Sequence, residues 1–498
     1  MDTGRQALSS LDWIIIAVYG IGMLLVGFYF SKKNKSSEDY LLGGRKMTSW
    51  RVGLSLFATL FSAVSYLSLP GEMIKHGPMF WCLLAAIPFI YVIVSRYFIP
   101  FIMTLNISSA YELLEKRLGT ANRILASVFF LIMRLVWMSV IIYMCAEKMI
   151  VPIMGWSAST ALWVSIVMGI VTIIYTSAGG LRGVVLTDVV QTFILFGGSI
   201  LAIILIARQL GDVSTIIPSE WPEHWDGWVF FDTKARISFV TAFISVFGWY
   251  ICTAGSDQMA IQRYLATRDV KAARKMYLSS LISNILVYLL LAILGLAILA
   301  YYKEFPGLIP AGSTLRESAD LLFPRFIVVG LPVGFSGLVL AGLLAAAMSS
   351  LSSGINSSCL VIIKDFIVPR KGVALTEKQE VRLAKLISAC IGVVIVILSL
   401  VIGNVKGNLL ELTYKTINLL VGPLFLPFFM SMFVRCAKPK ATFIGTIFGS
   451  LVAILISFSN ELLSISISFL WIIPGSFAAG LAVSWILSVL NIPRDQNS

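Results

Sequence analysis

The sequence predicts an all-α multi-pass membrane protein with about thirteen transmembrane helices, and three observations point there. Of its 498 residues, 58% are hydrophobic and 13% charged, with a mean hydropathy of +0.91. A soluble domain averages about 45–50% apolar and about 25% charged. The apolar residues also fall in runs close to the roughly 20 residues a helix needs to cross a hydrocarbon core about 30 Å thick. Finally, no hydrophilic block between the runs is large enough to fold alone, so 1–498 reads as one transmembrane domain. This composition excludes a soluble enzyme, a disordered regulator and a nucleic-acid binder.

In order, the runs lie near 11–30, 49–73, 79–103, 123–149, 160–178, 184–208, 236–256, 277–301, 326–367, 382–402, 409–434, 441–459 and 467–491. The first is followed by Lys32 and Lys33, which suits a retained span better than a cleaved signal peptide. Lysine and arginine test the list, because cytoplasmic loops carry their excess. Segments 31–48, 104–122, 179–183, 257–276, 368–381, 435–440 and 492–498 hold twenty, against seven in the complementary set. The N-terminus is therefore expected outside a plasma or inner membrane and the C-terminus in the cytoplasm. Most of the +13 net charge becomes an orientation signal. The run 326–367 would reach about 63 Å as one helix. Splitting it would put the basic segments 368–381 and 435–440 outside, so it is read as one crossing with an interfacial piece before Gly334 and an extension toward Lys364.

Outside the spans, segment 209–235 carries Trp221, Trp225 and Trp228 among acids, the composition of an interfacial belt, with a substrate gate as the alternative. The six cysteines show no metal-site or disulfide spacing, and His76 and His224 are the only histidines. Zinc chemistry and histidine-based catalysis are poorly supplied, so no enzyme is expected.

Two spans depart from a greasy helix. In the second, Ser55, Thr59, Ser62 and Ser65 recur at three or four residues and share a face. Such stripes pack helices, or mark a discontinuous helix whose freed carbonyls coordinate an ion. The ninth concentrates Ser349, Ser350, Ser352, Ser353, Asn356, Ser357 and Ser358, more hydroxyls than packing requires. Neutral hydroxyl oxygens are hard donors suited to a small hard cation and poor for zinc or copper. Four charges also stand in or beside spans, where an ionisable group is a functional hypothesis by default. Asp188, after the break at Gly179 and Gly180, is either an interfacial cap or a cation's counter-charge. Arg134, mid-span, makes either a structural pair or a guanidinium facing a cavity, where it suits a carboxylate. Lys415, a turn and a half into its span, either snorkels to the interface or serves substrate. Glu72 is a gate residue or simply solvated.

With these residues in place, the chain resembles the sodium:solute symporter family along nearly its whole length. The stretch 175–191, with Gly179-Gly180-Leu181-Arg182-Gly183 followed by Thr187-Asp188 and Gln191, looks like the family's Gly-Gly loop and Thr-Asp-hydrophobic-Gln motif. The stretch 337–357 looks like its serine-rich signature, and 109–117 and Gln262-Arg263-Tyr264-Leu265 match in the expected order. The resemblance implies the LeuT-type fold, two inverted five-helix repeats over about 49–208 and 236–434, with flanking helices at about 11–30, 441–459 and 467–491. It also implies discontinuous helices in the second span and in the seventh, the latter around Phe247-Gly248-Trp249.

For sodium, the resemblance maps the family's shared site onto the carbonyls of Ala58, Phe61 and Ala346 with the hydroxyls of Ser349 and Ser350. A second sodium site, found in members resembling the sialic-acid symporters, maps onto Asp188, Ser349, Ser352 and Ser353. One sodium ion, with a second beside it, is thus the expected cargo. The stretch 61–72 resembles the iodide, vitamin, monocarboxylate and sialic-acid branch, whose substrates are mostly anions. Sialic-acid symporters hold the carboxylate with an arginine in the helix corresponding to 123–149. Here the gap-free position is Trp137, and Arg134 lies one turn earlier on the same face. Thr59, Ser62, Ser65 and Gln258 are the hydroxyl and amide candidates, and Trp81, Trp137 and Trp249 could close over substrate.

What the resemblance implies is a sodium-coupled symporter, functional as a monomer in a lipid bilayer, that imports a small organic anion by alternating access. A neutral sugar or amino acid is the alternative substrate. A passive channel would also line a pore with hydroxyls, but its flux would not saturate or need a sodium gradient. A signalling receptor on a transport fold would normally need a large cytoplasmic tail, and about seven residues follow the last run.

Overall fold

The computed structural model describes residues 8–34, 36–105, 107–232, 235–310, 312–371, 376–402, 415, 418–465 and 467–490. The architecture is helical, with no strand among the described residues. In chain order the principal helices are α1 (Ser10–Lys33), α2 (Ser49–Leu60), α3 (Ala63–His76), α4 (Pro78–Thr104), α5 (Glu112–Met154), α6 (Ala158–Leu210), α7 (Phe239–Ser256) and α8 (Gln258–Leu265). They continue with α9 (Val270–Glu304), α10 (Leu315–Val329), α11 (Phe335–Ile367), α12 (Glu377–Ile402), α13 (Val421–Phe433), α14 (Pro439–Ser457) and α15 (Phe469–Val489).

Ten of these helices are long and apolar enough to cross a bilayer, and the pair α2/α3, bent by 68°, makes an eleventh candidate. A straight α6 of 53 residues would be about 80 Å long. It breaks at Gly180, whose φ of +57° and ψ of −163° only glycine adopts without strain, between the two expected runs 160–178 and 184–208. The expected run 326–367 likewise divides before Gly334, into α10 and the unbroken α11. Most of the first part of the run 409–434 lies outside the described residues, and α13 is its described remainder.

One expectation is corrected. The seventh span is continuous through Phe247, Gly248 and Trp249, and its break falls at Asp257, which is extended (φ −80°, ψ 121°). In an apolar setting no water competes for the backbone, so a lone glycine does not end a helix. An aspartate that caps a new one does: the Asp257 carboxylate accepts from Met259 N at 2.8 Å and starts α8.

The layers follow from burial. Nearly all of α11 is buried, whereas most of α1 is not, so α11 is the central post and α1 lies on the outside of the bundle. Around α11 stand α6, α5, α2 and α1. Asp12 ties the rim to the post: it is fully buried, and its Oδ1 accepts from Gly334 N at 2.9 Å and Gly337 N at 2.8 Å. A carboxylate there satisfies amides that the start of α11 leaves without a partner. Gly337 is required for the approach, since a Cβ would lie 2.6 Å from the Asp12 backbone.

At one end of the bundle, Glu72 is buried rather than solvated and takes a bidentate bond from Arg236 at 2.6 and 2.9 Å. Trp225 packs against Gly77 and donates to Ile74 O at 3.1 Å, and His76 meets Asp226 at 2.7 Å. Trp221 and Trp228 remain exposed, as a belt requires, whereas Trp225 fastens segment 209–235 onto α3.

Candidate functional site

The site is built on the broken helix α2/α3. Phe61 (φ −97°, ψ 110°) and Ser62 (φ −98°, ψ 166°) are extended, and Ser62 Oγ caps α3 by accepting from Ser65 N at 3.4 Å. Ending a helix inside an apolar bundle leaves its last carbonyls without amide partners. The serines of α11 meet them. Ser349 Oγ donates to Ala58 O at 2.9 Å and Ala346 O at 3.0 Å, and Ser350 Oγ reaches Thr59 O at 3.3 Å and Phe61 O at 3.5 Å. The five residues expected at the shared position, Ala58, Phe61, Ala346, Ser349 and Ser350, therefore converge. Beside them Gln191, Thr192 and Ser349 border a void of about 10 Å³, room for about one water-sized particle.

A second cluster adjoins the first. Asp188, on the second half of α6, is fully buried. Its Oδ2 accepts from Ser55 Oγ at 2.6 Å, while Oδ1 has no partner. Arg263 of α8, also fully buried, stands 3.9 Å from Asp188 Oδ2 and donates to Ser353 Oγ at 2.5 Å. Ser353 in turn shares a 2.8 Å hydrogen bond with Thr59. Of the expected second set, Asp188 and Ser353 thus gather at Arg263. The hydroxyls of Ser349 and Ser352 are turned to carbonyls, the latter to Ser349 O at 3.0 Å.

A cavity of about 100 Å³ lies beyond the helix break, lined by Ser62, Ser65, Arg134 and Trp137 together with Trp249, Asn284, Tyr288 and Asn418. Arg134 is 4% exposed and ion-paired to Asp257. Its guanidinium lies 4.7 Å from the Trp137 ring centroid, a cation–π contact set by their three-residue spacing, and its Nε has no partner. Two candidates stand elsewhere. Thr59 faces Ser353, and Gln258 braces the chain before α5, accepting from Ala110 N at 2.7 Å and donating to Ser108 O at 3.2 Å. Trp81 is anchored to Tyr288 O at 2.7 Å.

Four polar residues of these sites were not read as site residues from the sequence. Asn284 and Asn418 are lone amides in apolar runs. Asp257 and Arg263 fall in a segment that reads as a cytoplasmic loop, where Arg263 was counted as a topology charge. The usable signal was the break itself: a capping aspartate directly after a span, followed by a short helix with few exposed positions.

A sequence model of the sodium:solute symporter family matches residues 40–449. The chain belongs to the sodium:solute symporter family. It is 29% identical over 461 residues to the sodium/sialic acid symporter SiaT of Proteus mirabilis, covering 89% of each chain. It is also 29% identical to the sodium-dependent multivitamin transporter of Oryctolagus cuniculus (91% of this chain, 71% of that one). Against the human sodium/iodide cotransporter the figure is 25% (90% and 69%). Among solved structures, a Na⁺-coupled sialic acid symporter in a substrate-bound outward-open state superposes with a TM-score of 0.82 at 25% identity, over 98% of this chain and 99% of that one. A nucleobase-cation-symport-1 family transporter shares the fold, with a TM-score of 0.57 at 13% identity over 92% and 94% of the two chains. This member of the family is a sodium-coupled membrane transporter of LeuT-type fold, and no enzyme.

Proposed function

We propose that this symporter imports a small organic carboxylate, of the sialic-acid or monocarboxylate type, together with sodium. The observation that carries the carboxylate is Arg134: a buried guanidinium with a free Nε, held on the wall of a cavity that also presents Ser62 and Ser65. A buried guanidinium is costly unless its donors are used, and its planar fork matches a carboxylate. Ala58, Phe61, Ala346, Ser349 and Ser350 hold one sodium ion, and Asp188, Ser349, Ser352 and Ser353 a second.

Sodium joins the broken α2/α3 to the post α11. An ion that binds better to one arrangement of these two elements shifts the population toward it, which completes the cavity for substrate before both are released on the other side. The inverted repeats are read as 49–208 and 236–434, the N-terminus as outside, and the monomer as the working unit.

A neutral solute is the second reading, and one observation favours it: Asp257 already neutralises Arg134, while Asn284 and Asn418 supply amides to the same cavity. Uptake into proteoliposomes separates the two. With an inward sodium gradient, sialic acid or a monocarboxylate is accumulated by wild type and not by Arg134→Ala, and neither moves without sodium. Accumulation of a sugar or neutral amino acid that survives Arg134→Ala overturns the carboxylate reading.

A further inference from the structure

We infer that Arg263 is a built-in cation that occupies the second sodium site when sodium is absent, so that sodium binds there by displacing it. The inference rests on the reading of Asp188 and its serines as a second sodium site. Arg263 is among the largest fully buried side chains of the molecule, in the middle of a cluster of oxygens. Its Nη2 donates to Ser353 Oγ at 2.5 Å and Ser55 Oγ at 3.5 Å, and its Nη1 to Met259 O at 3.3 Å and Gln262 Oε1 at 3.5 Å. The carboxylate that should complete this shell stands off at 3.9 Å.

That gap distinguishes the pair from the other arginine pairs with a buried carboxylate among the described residues. Arg236 grips Glu72 at 2.6 and 2.9 Å, and Arg123 grips Asp365 at 2.7 and 2.8 Å. Charge-assisted bonds of this kind normally close to about 2.7–2.9 Å. In the Asp188 cluster, Asp188 Oδ1 and Arg263 Nε are both buried and both without a partner. A fully buried charge pair that leaves an acceptor and a donor unused is held apart by its surroundings, and such a pair is poorly compensated for its desolvation.

A small cation fits what is left over. It would take Asp188 and the Ser353 hydroxyl, and an ion bonded to that oxygen would stand within a few ångströms of the guanidinium that holds it at 2.5 Å, two like charges that repel in a buried setting. The guanidinium must withdraw as sodium arrives. Arg263 rides on α8, whose capping residue Asp257 is ion-paired to Arg134 on the cavity wall. One short helix therefore has an end in each site, and withdrawal of Arg263 is transmitted toward the residue proposed to hold substrate.

The test is ²²Na⁺ binding to the purified full-length protein in lipid nanodiscs without substrate, with thermal unfolding recorded alongside. Arg263→Gln is expected to lower the sodium concentration for half-occupancy of the second site at least tenfold. Arg263→Lys, whose shorter stem draws the charge back from Ser353, should lower it by a smaller factor, and either variant suffices if the other does not fold. A residue that merely held the fold together would weaken sodium binding on removal, so the sign of the change decides. Unchanged or weaker sodium binding in a folded variant overturns the inference. If Asp188→Asn binds as many sodium ions as wild type, the second-site reading fails and this inference with it. If Asp188→Asn loses one ion while the Arg263 variants leave the midpoint in place, the inference fails alone.

Discussion

Substituting Asp257 with asparagine tests the electrostatics of the cavity most directly. In the structure Asp257 pairs with Arg134 from behind the cavity wall, leaving Nε of the guanidinium without a partner. A substrate carboxylate on the free side of that group would lie roughly 6 Å from the Asp257 carboxylate. At an effective dielectric constant near 20, two like charges at that distance repel by about 2–3 kcal/mol. Asparagine keeps a side-chain oxygen to accept from Arg134 and to cap α8, but removes the charge. Carboxylate affinity should therefore rise by up to about a hundredfold, since about 1.4 kcal/mol is tenfold. The pair is buried, so added inert salt should not erase the difference. The cost is paid in the fold: an uncompensated buried guanidinium destabilises by about 3–5 kcal/mol, and that loss should be recovered in the double variant Arg134→Met, Asp257→Asn. Isothermal titration with sialic acid and with a monocarboxylate at saturating sodium reads the affinity, and thermal unfolding reads the stability. Unchanged or weaker carboxylate binding by a folded Asp257→Asn protein would refute the reasoning, because it would mean that no substrate charge approaches Arg134.

Three further outcomes are expected. Asp188→Asn should bring the Hill coefficient for sodium in uptake assays down toward one; a sodium dependence as steep as wild type would count against a second site. Ser349→Ala removes the hydroxyl between Ala58 O and Ala346 O. Losing a hydrogen-bonding partner of a charged ligand costs about 1.5–3 kcal/mol, so half-saturation by sodium should rise roughly tenfold or more, and an unchanged sodium midpoint would remove Ser349 from the ion's shell. Arg236→Ala takes the bidentate partner from Glu72, which is 5% exposed. It should lower the unfolding temperature more than Glu72→Gln, which keeps an acceptor oxygen and leaves the arginine its access to solvent, and the reverse order would show that Arg236 is the member of the pair that depends on the other.

The conformational break in α2/α3 was legible because it is local. Hydroxyls at three- and four-residue spacing are written within one span, and the structure bends among them, at Phe61 and Ser62, by 68°. The break in α6 was legible for the same reason, since paired glycines announce a backbone that other residues resist. The break after α7 was misplaced to Gly248. A glycine is a weak signal where the bilayer leaves the backbone no partner but itself, and Asp257 lay just past the hydrophobic run, where a charge reads as the beginning of a loop.

The sequence by itself determined the class of the molecule, its helical membrane character, the family it belongs to and the serine-rich helix on which the sodium site is proposed. Each depends on composition or on residues within a turn or two of one another. Only the tertiary structure decided which charges act together. Arg134 and Asp257 are 123 positions apart, and Asp188 and Arg263 are 75 apart. Whether such residues meet is a property of how helices cross. A hydropathy window averages over about a full span, so it assigns Arg263 to a basic loop and cannot register that its side chain is folded back into the bundle, beside the carboxylate it half neutralises.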